Sequence, residues 1–138
     1  MRFRYLKDPL FLFCVALYFA NRWVIKPYFP NSFSRDHLND LICIPFWVPI
    51  MLWGMCLTGL RKHDGPPSAS EIIIPLLIWS WVFEAYLPFT KAFKGIAISD
   101  YKDVIAYTVG ACIASGIWRF HYRERRRDEA KKVIKLWR

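Results

Sequence analysis

The stretch "LICIPFWVPIMLWGMCLTGL", residues 41–60, runs for 20 positions without a charged side chain. A helix rises about 1.5 Å per residue, so about 20 such residues match the roughly 30 Å hydrocarbon core of a bilayer. That match decides the fold class: the stretch reads as a transmembrane helix. Pro45 and Pro49 fall in its first half. Each removes a helical N–H and crowds the carbonyl four residues back, so a kink is expected there.

Three further apolar segments flank it. "PLFLFCVALYFANRWVI" (9–25) offers 13 uncharged residues before Arg22 and crosses only if Arg22 snorkels outward. With Lys7 ahead of it and no small-residue cleavage pattern after it, an uncleaved first helix is expected rather than a signal peptide. "IIIPLLIWSWVFEAYLPFT" (72–90) spans with Glu84 inside it. "VIAYTVGACIASGIW" (104–118) has 15 uncharged residues, and Gly110, Ala111, Ala114, Ser115 and Gly116 are small enough to let helices approach closely in lipid. The expected fold is an all-α integral membrane four-helix bundle over residues 1–118, followed by a basic helical tail over 119–138.

Composition agrees. Hydrophobic residues are 55% and aromatics 18% of the 138 positions, above the apolar share of about 45–50% usual in soluble domains. The net charge of +9 is concentrated, since nine of the 20 Lys and Arg lie between Arg119 and Arg138. Basic and aromatic residues are not interleaved as single-strand recognition requires, so no nucleic-acid partner is expected. Cys14, Cys43, Cys56 and Cys112 stand singly in apolar segments without metal-ligand spacing, and read as small buried apolar residues. Trp23, Tyr28, Trp47, Tyr86, Tyr101 and Trp118 near segment ends read as interfacial anchors.

Lys and Arg in the short connections set the orientation. Placing the N-terminus, the 61–70 connection and the tail on one side gathers 14 of them there, against six on the other. Both termini are therefore expected in the cytoplasm of a multi-pass inner-membrane protein. On the opposite face Asp36, His37, Asn39 and Asp40 open the second helix, Glu84 lies near the end of the third, and Asp100 and Asp103 open the fourth. Asp36 and Asp40 share a helical face by their spacing of four, as do Asp100, Asp103 and Tyr107 at steps of three and four.

Two readings of this layer stand side by side. In one, Glu84 floors an outward-facing pocket lined by His37, Asp40, Asp103 and Tyr107, with Asp40, Glu84 and Asp103 as the carboxylates that would hold a divalent cation. In the other, Asp36, Asp100 and their neighbours are helix caps and first-turn acids at the positive ends of helix dipoles. Glu84 resists the second reading, because an acid within a span costs up to about 2.5–3.5 kcal/mol and is kept for a partner, a proton or a wet cavity. In the tail, Arg123, Arg125, Arg126, Arg127, Lys131 and Lys132 form the surface expected to meet anionic lipid.

Two stretches together resemble a family of small bacterial membrane proteins of unassigned role. "LNDLICIPFWVPIMLW" (38–53) matches its L-N-D-x-x-C-x-P helix start, and "FEAYLPFTKAFKGIAISDYKDVIAYTVGA" (83–111) matches its F-E-x-x-L-P … D-x-x-D-V-x-A-Y-x-x-G ending. Some members carry the automatic name magnesium citrate secondary transporter. The second stretch also resembles the VanZ-like family, linked to glycopeptide resistance and the cell envelope: Glu84, Asp103 and Gly110 fall on its Glu, Asp and Gly. Tyr107 stands in place of that family's Asn, Leu87 of its Gln, and Asp40 of a His in its first motif. The resemblance implies an envelope-facing role.

The expected function is that of a small polytopic membrane protein whose outer pocket binds a cation or the polar head of an envelope lipid. No cofactor other than a divalent cation at those carboxylates is expected. Alternatives are a small transporter or channel subunit acting as an oligomer, an intramembrane lipid-headgroup enzyme, and an accessory subunit of a membrane complex. The chain has no H-x-x-x-H, G-x-S-x-G or Arg-rich phosphatase-like motif, which points away from the enzyme.

Overall fold

The computed structural model describes residues 3–28, 37–90 and 100–136. Within them the chain is all-helical, with no strand. Four helices follow in order: α1, Pro9–Tyr28; α2, Leu38–Leu57; α3, Ala69–Phe89; and α4, Tyr101–Leu136. The first three are long and apolar enough to cross a membrane. The fourth carries the 104–118 stretch in its first half and continues without a break into the basic tail. By length and composition, then, three of the four expected spans stand among the described residues. The fourth is shorter in apolar length because Arg119 follows its fifteenth uncharged residue.

Local chemistry sets the helix starts. Asp8 caps α1, accepting from Leu10 N (3.1 Å) and Phe11 N (3.3 Å), with Pro9 in the first helical position where a missing N–H costs nothing. Ser68 and Glu71 form a capping box at α3. α2 ends at a left-handed Gly59 (φ 74°), after which Arg61 N donates to Met55 O at 3.0 Å. α2 stays a single helix through Pro45 and Pro49, both buried. α1 and α3 each contain one π-helical segment, Asn21–Ile25 and Trp81–Tyr86.

The core is the seam between α2 and α4. Ile44, Val48 and Leu52 face Tyr107, Ala111, Ala114, Trp118 and Tyr122, whose steps of three and four form one stripe of α4. Phe3, Tyr5 and Ile72 close this seam at the tail end. At its other end two features interlock. Pro45 has no N–H to offer the Leu41 carbonyl, and Gly110 of α4 lies directly against that carbonyl. A methyl built on Gly110 collides with Leu41 O and sits 2.9 Å from the carbonyl carbon. The two backbones therefore touch there, which only glycine permits.

Hydrogen bonds show that the helices alternate in direction. The start of α1, the α2–α3 connection and residues 118–122 of α4 meet at one end, through Trp118 to Asp8 and Arg61 to Tyr5. The end of α1 and the starts of α2 and α4 meet at the other, through Asn21 to Asn39 and His37 to Asp103. Bulky apolar side chains such as Phe13, Val24, Ile74, Leu77, Ile113 and Phe120 point outward around the bundle.

Two sequence expectations are corrected. Trp118 is no interfacial anchor: it is buried, and its indole N–H donates to Asp8. Cys14 is buried and Cys43 and Cys56 are partly so, but Cys112 is exposed, because the groove between α3 and α4 leaves its face of α4 uncovered.

Candidate functional site

Four elements bring polar side chains to the end of the bundle opposite the tail. His37 ends the chain's approach to α2 and acts as its cap residue without using its side chain for capping. That side chain is thereby released across the seam, where Nδ1 lies 3.1 Å from Asp103 Oδ1 in the first turn of α4. Asp40, in the first turn of α2, lies beside Tyr107, one turn further along α4. His37, Asp40 and Asp103 each present a donor atom, and the three atoms lie within 4.8 Å of one another.

The Gly110–Leu41 contact explains the convergence. Leu41 follows Asp40, and Gly110 lies one turn after Tyr107, so pressing the backbones together there draws Asp40 and Tyr107 across the same gap. Asp40 and Asp103 are like charges in mutual range. Among the described residues neither forms an ion pair with a Lys or Arg. The side chains of His37 and Asp103 keep 23% and 21% of their exposure, so the cluster is accessible. An open groove of about 270 Å³ lined by His37, Leu41, Lys102 and Ala106 borders the imidazole.

Glu84 sits beside this triad within electrostatic range of Asp40 and Tyr107, on the π-helical turn of α3. Its Oε2 accepts the backbone N–H of Asp100 at 2.7 Å. Asp100 in turn accepts from Lys102 N at 3.0 Å. Asp100 is thus a helix cap, and Glu84 ties α3 to the start of α4. Of the expected carboxylates Asp40, Glu84 and Asp103, the two aspartates group with His37, and Glu84 lies within electrostatic range of Asp40. Asp36 and the side chains of Arg125, Arg126, Arg127, Lys131 and Lys132 lie outside the described part of the chain, whereas Arg123 is described and exposed.

Asn39 faces α1 rather than the triad, accepting from Asn21 Nδ2 at 2.9 Å. Asn21 is fully buried at the first residue of the other π segment, and its Oδ1 has no hydrogen-bond partner among the described residues. Its sequence signal was available: an Asn among apolar residues, immediately before Arg22.

The opposite end holds a second polar constellation that the sequence reading did not single out. Asp8, 1% exposed, accepts from Trp118 Nε1 (2.9 Å) and Tyr122 OH (2.7 Å) besides its two capping bonds. Arg61 donates to Glu71 Oε1 (2.7 Å), Tyr5 OH (2.9 Å) and the Gly65 carbonyl (2.8 Å), between the rings of Phe3 and Tyr5. Burial opposes charge on Arg61, but its bonds to Glu71 and Tyr5 outweigh it and raise its pKa. Tyr5 reaches this place from a left-handed backbone (φ 48°), a conformation costly for a residue with a Cβ. The dipeptide Asp8-Pro9 and the S-x-x-E spacing of Ser68 and Glu71 were the legible traces of this clamp.

The chain matches no family model, no curated protein and no solved structure.

Proposed function

We propose that the chain is a four-span inner-membrane protein, with both termini cytoplasmic, whose outer polar cluster binds a divalent cation. The observation that carries this reading is the convergence of His37, Asp40 and Asp103 from two helices, with two like charges and no Lys or Arg paired to them among the described residues. A cation neutralises that repulsion and replaces water on all three donor atoms. One imidazole and two carboxylates form a mixed donor set that suits manganese or zinc at least as well as magnesium or calcium. Tyr107 stands beside Asp40 as a positioning residue. The VanZ-like resemblance around Glu84, Asp103 and Gly110 motivates the envelope-facing side.

Manganese in solution gives a paramagnetic resonance signal that fades on binding. Titration of the detergent-purified chain should remove about one equivalent, D103N and H37A should leave the ion free, and competition by zinc should restore the signal. An unreduced signal in the unaltered chain, at concentrations well above those of free metal in cells, refutes the reading. For the topology, a cysteine replacing His63 should react with an impermeant maleimide only after the cells are opened; reaction in intact cells reverses the assignment.

A further inference from the structure

Between α3 and α4 runs a groove of about 440 Å³ beside the α2–α4 seam, with Ala111 belonging to both. Its walls are Ile72 and Leu76 on one helix and Ala111, Cys112 and Ser115 on the other, and its lining is almost entirely apolar. The hydroxyl of Thr108, at its inner end, is committed to the Val104 carbonyl at 2.8 Å and asks nothing of an occupant. The groove opens where Ala69 begins α3 and Arg119 follows the apolar stretch of α4. Arg119 is exposed and forms no ion pair among the described residues. A slot that is apolar along its length and cationic only at its membrane-boundary end is complementary to one kind of molecule: a hydrocarbon chain that ends in an anion.

We propose that this groove holds one acyl chain of an anionic phospholipid, whose phosphate is met by Arg119. The contact is separate from the tail surface, since it needs a side chain on the apolar boundary and a slot rather than a run of charges. It also stands whether or not the outer cluster binds a cation. One cation near an anionic headgroup shifts binding by about fivefold.

The test is native mass spectrometry of the full chain released from nanodiscs containing equal phosphatidylglycerol and phosphatidylcholine. One retained phosphatidylglycerol per chain is expected, with R119Q losing that preference by about fivefold. C112F, which fills the groove from an exposed position, should retain neither lipid while keeping normal yield. A variant with Arg123, Arg125, Arg126 and Arg127 changed to Gln should keep the bound lipid. Equal retention of both lipids by the unaltered chain, an unchanged preference in R119Q, or loss of the lipid only in the tail variant would overturn the proposal, as would a dimer that C112F dissolves.

Discussion

The two ends of the bundle hold similar polar residues under opposite conditions. At the tail end Asp8 and Arg61 are buried and each is met by several partners: Asp8 by two backbone N–H groups, an indole and a phenol, Arg61 by a carboxylate, a phenol and a carbonyl. At the other end Asp103 meets the His37 imidazole and Asp40 lies beside the Tyr107 phenol; both carboxylates remain partly exposed and repel each other. A buried charge is tolerated when its partners are complete and costs several kcal/mol when they are not. The complete set is therefore the mark of a device that holds the fold, and the accessible pair of like charges is where the proposed cation would act.

The comparison breaks most visibly at Arg61. R61A takes from Glu71, only 12% exposed, its guanidinium partner, and should lose about 3–5 kcal/mol of stability, seen as a sharp fall in unfolding temperature or folded yield in detergent. A loss below about 1 kcal/mol would mean the clamp is ornamental. G110A comes next: the added methyl meets the Leu41 backbone, which cannot rotate away. It should cost about 1–3 kcal/mol and weaken manganese binding as well, because the same contact sets the gap between Asp40 and Asp103.

That pairing of effects shows what the sequence could and could not convey. The apolar segments, their alternation and the gathering of His37, Asp40, Glu84, Asp103 and Tyr107 at one end follow from length and periodicity, because a chain that crosses and returns must bring those positions to one layer. Which of them touch is another matter. Glu84 was the sharpest signal, but nothing in the sequence said that it would accept the Asp100 N–H or that His37, ambiguous in sequence, would meet Asp103. Asp8 with Trp118 and Arg61 with Tyr5 are separated by 110 and 56 positions. No local pattern encodes such pairs, and the buried indole of Trp118 looked like any tryptophan at a membrane boundary.

Smaller effects sharpen the contrast. Burial first, and then the bond to Asp8, push the Tyr122 phenol above its ordinary 10.0, and burial likewise raises Tyr5. Since the folded state favours the protonated phenols, their contribution is whole below pH about 10 and is lost as pH rises beyond it. Y122F should cost about 1–2 kcal/mol at neutral pH and show a shallower alkaline decline; an equal slope would place the sensitivity elsewhere. E84A takes the acceptor away from the Asp100 N–H and should cost at least about 1 kcal/mol, checked by the same unfolding curves; an unchanged stability would mean that the tie between α3 and α4 carries nothing.

The most direct measurement is the pair D8N and D40N, each unfolded by heat in detergent with and without manganese. D8N should lower stability by about 1–3 kcal/mol yet respond to the ion like the unaltered chain. D40N should be as stable as the unaltered chain or more so without metal, because a repulsion is gone, and should show no stabilisation by manganese. If D40N unfolds as D8N does and keeps its response to the ion, the two ends serve the same structural purpose and the account of a ligand site is wrong.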